Sequence, residues 1–264
     1  MAVDIPAEVV QQEQVGPGLY RLSLYAPQIT RSAVPGQFVY IRCTDNLDPL
    51  LRRPISIHGV NRERGELFLL YQVVGRGTAL LAARRRGERL GVMGPLGRGF
   101  TLQAPGQRVV LVGGGIGVAP LVFLGQVLVQ RNNQVCLLVG ARSADQLPVG
   151  KEGYTAPFEL AVATDDGSCG HHGPVTDLLE KILAGEGADM VYACGPRGML
   201  HQTALLLARY DVPGEFSLEE RMGCGVGACL SCVCKTAGKG GEPLQYRRVC
   251  VEGPVFPADQ LVWD

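Results

Sequence analysis

What this sequence lacks narrows its chemistry first. It has no net charge, because Lys plus Arg and Asp plus Glu each total 25. No basic excess points to nucleic acid and no acidic tail points to disorder, so partners are expected to meet shape and apolar surface rather than a strong field. An uninterrupted apolar run of about 18 residues, the length of a membrane-spanning helix, is missing. The opening segment, Met1 to Pro6, has no basic region followed by an apolar run, so no signal peptide is read there and a cytoplasmic location is expected. Nine cysteines in 264 residues are too sparse and too uneven for a secreted disulfide scaffold. A Ser/His/Asp or Cys/His catalytic set is also absent. His58, His171, His172 and His201 are scattered or sit in a turn, solvated or structural roles are expected for them, and no catalytic residue is assigned.

Glycine is what the chain has in excess, with 36 residues spread through short motifs rather than repeats. Many turns and close approaches of backbone to cofactors are the natural use of that excess. With 46% hydrophobic residues, the length is compatible with two or three compact modules. Residues 1–101 read as all-β. Leu19 to Leu24 and Gln37 to Arg42 alternate, Glu66 to Tyr71 follows a turn at Gly65, and the Gly/Pro punctuation predicts a small antiparallel barrel. A short helix is expected over Thr78 to Ala83, with Thr78 as its N-cap. From residue 102 to 215 the pattern changes to buried strands at Arg108 to Val112, Val135 to Val139, Glu159 to Ala163 and Met190 to Cys194. Helical patterns lie between them at Ala119 to Gln130, Val175 to Leu183 and Met199 to Arg209. That alternation predicts a parallel, doubly wound α/β sheet. After Phe216 the regular pattern stops, and residues 216–264 form a Cys/Gly-rich module.

Four of the nine cysteines lie between Cys224 and Cys234. The spacing Cys224-x4-Cys229-x2-Cys232-x17-Cys250 is that of a plant-type 2Fe–2S cluster, in which one loop wraps the cluster and a distant thiolate closes it. Gly223, Gly225 and Gly227 leave room for backbone N–H groups to reach the sulfurs. Structural zinc is the rival, but it favours two C-x2-C pairs and only one is present. Cys234 competes with Cys232 for the ligand position, and the spacing selects Cys232. Cys43, Cys136, Cys169 and Cys194 read as small buried hydrophobes.

Two nucleotide sites are also indicated. Gly113-Gly114-Gly115-Ile116-Gly117 follows a buried strand and opens a helix, where a pyrophosphate meets N–H groups and a favourable dipole. The alternative is tight strand–helix packing alone: Pro120 departs from the G-x-G-x-x-G pattern, and Gly140-Ala141-Arg142 stands where an acidic residue would end the second strand. In the barrel, Arg53-Pro54-Ile55-Ser56 and Gly75-Arg76-Gly77-Thr78 can supply a guanidinium, hydroxyls and helix-start amides to a phosphate, although surface strands and a helix cap would look the same.

The order R-P-x-S, V-G-x-G-T, G-G-G-x-G-x-A-P, C-G-P resembles the ferredoxin-NADP reductase superfamily. Together with Thr164 to Ser168, Gly173 to Asp177, Ser217 to Gly225 and Val249 to Phe256, it is similar to the electron-transfer subunits of NAD-dependent (type B) dihydroorotate dehydrogenases over essentially the whole chain. The resemblance implies an FAD-binding barrel (1–101), a nicotinamide-nucleotide domain (102–215) and a 2Fe–2S module (216–264). FAD is then expected at Arg53, Pro54, Ile55 and Ser56, at Leu70, Tyr71 and Gln72, and at Gly77 and Thr78. NAD is expected at Gly114, Gly115 and Gly117 and at Cys194, Gly195 and Pro196, and the cluster on Cys224, Cys229, Cys232 and Cys250. The resemblance also implies an FMN-containing catalytic subunit, a heterotetramer of two copies of each chain, and electron flow from FMN through the cluster and FAD to NAD in pyrimidine biosynthesis. Rival functions are a flavin subunit of a sulfide dehydrogenase or transhydrogenase, a passive electron carrier, and a zinc-dependent regulatory module.

Overall fold

The computed structural model describes residues 2–148, 158–237 and 244–263. Alternating side chains in the first third close a barrel. β1 (Val3–Gly16), β2 (Leu19–Tyr25), β3 (Phe38–Ile41), β4 (Arg53–Asn61), β5 (Glu66–Gln72) and β6 (Arg89–Leu96) run in the order β1-β2-β5-β4-β3-β6, and β6 pairs back onto β1. Closure leaves no exposed sheet edge. The register sets Leu22 opposite Leu69 and Leu24 opposite Leu67, and all four are buried with Ile41, Ile57 and Leu81. Each such side chain contributes roughly 1.5–3 kcal/mol of transfer free energy. A one-turn helix, α1 (Pro27–Thr30), and α2 (Arg76–Ala82) decorate the barrel.

The start of α2 corrects one expectation. Gly75, not Thr78, is the N-cap. Having no side chain, Gly75 cannot cap itself, so the Thr78 hydroxyl reaches back from inside the first turn. It accepts from the N–H groups of Val74 (3.0 Å) and Gly75 (3.2 Å) and donates to the Gly75 carbonyl (3.0 Å).

The second unit is a seven-stranded sheet. β7 (Arg108–Gly114), β8 (Gln134–Ala141), β9 (Glu159–Thr164), β10 (His171–His172), β11 (Met190–Cys194) and β12 (Gly214–Ser217) are parallel, in the order β10-β9-β8-β7-β11-β12. The chain winds one way from β7 and then the other, so a crevice opens beyond the carboxyl ends of β7 and β11, where such sheets bind ligands. α3 (Val118–Gln130), α4 (Val175–Ala184) and α5 (Arg197–Tyr210) cover the faces. α3 is apolar almost all round because it is enclosed on both sides: Leu121 and Leu124 face the sheet core, while Phe123 enters the barrel core. Among the described residues no helix is long and apolar enough to cross a membrane.

The last segment is more regular than its sequence suggests. β13 (Val233–Thr236) and β14 (Gln245–Arg248) form an antiparallel pair, and β15 (Val255–Pro257) adds to the large sheet antiparallel to β12, with Phe256 opposite Phe216. One apolar core runs from Phe216 and Phe256 through Cys232, Val249 and Cys250 to Phe38, Tyr40 and Leu96 of the barrel. The module expected over 216–264 is therefore inserted into the sheet of its neighbour.

Candidate redox site

The cysteine loop begins with Cys224, whose Sγ accepts from the backbone N–H groups of Val226 (3.4 Å), Ala228 (3.3 Å) and Cys229 (3.4 Å). That convergence requires left-handed backbone at Gly225 (φ 71°) and Gly227 (φ 83°). A Cβ on Gly225 would also come within 2.8 Å of the Tyr40 ring, so the space is shaped for backbone alone. Such N–H groups stabilise negative charge on a sulfur and tune a bound metal. Arg248 pins the same loop by donating to the Gly227 carbonyl (3.1 Å), while Glu252 holds its guanidinium at 3.1 Å.

The sulfurs fall into two pairs. Cys229 sits against Cys224 and donates to or accepts from the Ser231 hydroxyl (3.2 Å), contacts that hold its thiol down to about 6. Cys250 sits against Cys232, and burial with that neighbour pushes its thiol up to about 12. Among the described residues no three His, Cys, Asp or Glu side chains converge as they would on a single ion. Two iron atoms, each taking two thiolates, fit this donor set better than one zinc does. Cys234 lies in β13, buried in the apolar core, with burial pushing its thiol up to about 11 and Glu220 as its next influence rather than another cysteine.

Beside the loop lies a groove of about 560 Å³. Arg53, Pro54, Ile55 and Ser56 of β4, Leu70, Tyr71 and Gln72 of β5, and Thr78 of α2 all line it. Gly77 does not line it, but a Cβ there would collide with the Arg53 guanidinium, so the glycine seats that cation over the helix start. Phe38, Leu218, Met222 and Pro254 add apolar surface to the wall. A slot with apolar walls, the guanidinium groups of Arg53 and Arg221 and a few hydroxyl and amide groups, with Glu219 and Glu220 at its edge, fits a flavin with its phosphates.

A second cavity, of about 950 Å³, opens at the carboxyl ends of β7 and β11 and is lined by Gly114, Gly115, Gly117, Gly195 and Pro196. Cys194 does not line it. Its side chain is buried, and its carbonyl backs onto Gly117, where any Cβ would strike it. Gly117 is thus required by close packing, and the turn it permits brings the start of α3 to the cavity, where a helix N-terminus favours an anion. Gly140, Ala141 and Arg142 line the far end with Asp145 and Asp165. Asp165 comes from the end of β9, brought alongside by the Ala141–Thr164 register, so no motif on β8 announces it.

The two cavities share Gln72, Ile116 and Glu219. Glu219 is open to water through both of them yet walled in by protein, and that enclosure pushes its carboxyl up. It was not singled out from the sequence because only the fold brings the β12–cluster connection to this junction. The histidines lie elsewhere. His58 contacts the Ala119 carbonyl at 2.9 Å, His171 contacts Asp177 at 3.1 Å, and His201 stacks on Trp263.

Comparison with known proteins agrees with this geometry. Residues 111–204 match the profile of the oxidoreductase NAD-binding domain, and residues 219–262 match that of the iron-sulfur cluster binding domain of dihydroorotate dehydrogenase B. The chain is 49% identical over 258 residues to the dihydroorotate dehydrogenase B (NAD(+)) electron transfer subunit of Desulforamulus reducens, covering 98% of both chains. It is 44% identical over 257 residues to that of Geobacillus thermodenitrificans, covering 96% of both. Among solved structures, an NADH-dependent reduced ferredoxin-NADP oxidoreductase chain superposes with a TM-score of 0.86 at 30% identity, covering 97% of this chain and 90% of its own. A ferredoxin reductase of carbazole 1,9a-dioxygenase shares the fold at a TM-score of 0.68 and 22% identity, covering 81% of this chain and 69% of its own. On these grounds the chain belongs to the family of electron transfer subunits of NAD-dependent dihydroorotate dehydrogenase B.

Proposed function

We propose that this chain carries electrons released by dihydroorotate oxidation from the FMN of a separate catalytic subunit to NAD, in a cytoplasmic assembly of two copies of each subunit that serves pyrimidine synthesis. The observation that carries this reading is the row of three sites. The flavin groove shares Gln72, Ile116 and Glu219 with the nucleotide cavity on one side, and Arg221 and Met222 lead from it to Cys224 on the other. Bound FAD supplies the conversion between single electrons and the two-electron hydride.

The chain's own residues prepare each site. Arg53 and the start of α2 offer positive charge to phosphates, and Ser56 and Gln72 offer hydrogen bonds beside the apolar walls of Phe38, Ile55 and Leu70. Amides after β7 receive the pyrophosphate of NAD. Asp145 and Asp165 at the far end suit a ribose hydroxyl, with Arg142 beside them. The N–H groups of Val226, Ala228 and Cys229 stabilise thiolate charge at Cys224. Cys229 is exposed among Val226, Leu230 and Val251, also exposed, which suits electron entry from an apolar partner face.

The test is to purify the chain with its catalytic subunit. The complex is expected to show flavin and iron–sulfur absorption and to reduce NAD with dihydroorotate. A complex with FAD and cluster intact but inert to dihydroorotate would overturn the reading. A transhydrogenase-type subunit is the second reading, favoured by the superposition at a TM-score of 0.86. It predicts NADH oxidation coupled to ferredoxin and NADP instead.

A further inference from the structure

Tyr40, a strand residue of the flavin barrel, also touches the cysteine loop. It lies in β3 opposite Pro54 of β4, and Pro54 lines the flavin groove. Its ring is 2% exposed and packs beneath Gly225, at the bend of the loop. Its hydroxyl shares its one proton between the carbonyls of Met222 (3.0 Å) and Gly223 (2.9 Å), the two residues immediately before Cys224. Met222 itself lines the flavin groove. One side chain thus spans from the groove wall to the first ligand of the cluster.

A buried ring could have been supplied by phenylalanine. A buried hydroxyl must instead find acceptors, and the two it finds set the height of the loop over the barrel. We propose that Tyr40 is a positioning residue that fixes the separation between the cluster and the flavin, and with it the rate at which electrons pass between them. The proposal rests on the electron-transfer reading above. Burial, followed by the nearby Cys224, pushes the phenol up to about 12, so the hydroxyl remains a neutral donor through the working pH range. Other contacts hold the module as a whole, notably the pairing of β12 with β15, so loss of this hydroxyl loosens the loop without releasing it.

The test uses the full chain carrying FAD and cluster, reduced by NADH in a stopped-flow instrument. NADH delivers two electrons to the flavin as hydride, and one of them then moves to the cluster, where it is read by absorbance and electron paramagnetic resonance. In Tyr40→Phe, flavin bleaching by NADH is expected at the wild-type rate. The second phase is expected to slow about tenfold, less than the roughly hundredfold that a full 1 Å misplacement can cost, because the loop is loosened rather than displaced. The magnetic coupling between half-reduced flavin and reduced cluster is expected to weaken or broaden. Tyr40→Leu, which also removes the ring beneath Gly225, is expected to slow the second phase further. A wild-type second phase and coupling in Tyr40→Phe would overturn the proposal, whether or not Tyr40→Leu folds, and would leave Tyr40 as packing alone. If the wild-type protein shows no cluster bands, the electron-transfer reading itself fails, a result distinct from any effect of the substitutions.

Discussion

At the scale of single residues, the two neighbours Cys232 and Cys234 show how little separates a proposed cluster ligand from a plain core side chain. Both are buried in the same apolar core, but Cys232 sits against Cys250, whereas burial and Glu220, not another cysteine, are the main influences on Cys234 in β13. Cys234→Ala is expected to keep the iron–sulfur absorption and cost about 1 kcal/mol for the small void. Cys232→Ala is expected to lose the absorption, and visible spectra of the two purified proteins check both outcomes. His58 provides a pH-dependent case. It is wedged between β4 and α3, and because its partner is the Ala119 carbonyl, Nδ1 must donate. Burial holds its pKa below the ordinary 6.5, against the smaller upward pull of that hydrogen bond. A depressed histidine pKa means that the unfolded chain binds the proton more readily. Its contribution is therefore complete above 6.5 and lost as pH falls from there toward the folded value. Thermal melts between neutral and mildly acid pH are expected to show a steeper fall for the wild type than for His58→Gln.

At the scale of elements, the turn from β7 into α3 was readable because its glycines answer a local demand. The demand itself comes from β11: the Cys194 carbonyl stands where a side chain on Gly117 would go. Gly117→Ala is expected to cost roughly 1–3 kcal/mol through overpacking. It should also abolish NADH-driven bleaching while FAD and cluster bands persist, because the turn that presents the amides is displaced. The beginning of α2 was readable only in part. Gly75-Arg76-Gly77-Thr78 marked a helix start, but which residue serves as cap depends on a hydroxyl reaching backward from the third position. β13, β14 and β15 carried no visible signal, since strands of three or four residues are too short to establish a period.

At the scale of the whole molecule, the three cofactor sites are held by shared cores rather than by linkers. Phe123 of α3 joins the barrel core, and Phe256 of the last segment packs with Phe216 of the sheet. Ending the chain at residue 215 would cut β12 after Glu215, remove β15 and uncover the β11 edge at Ala193 and Cys194, with Leu200 and Leu207 beside it. Such a fragment is expected to associate in size-exclusion chromatography and to melt without a sharp transition, whereas an independent two-domain fragment would run as a cooperative monomer. Local spacing and period, by themselves, determined the barrel, the doubly wound sheet and the glycine turn and singled out the four cysteines proposed to hold the cluster, because each depends on residues near one another in the chain. Tertiary structure alone decided what lies between them: Glu219 at the meeting of two cavities, Asp165 beside the end of β8, and Tyr40 under the cysteine loop. Those contacts join residues up to 183 positions apart, and no pattern along the chain records a proximity that only packing creates.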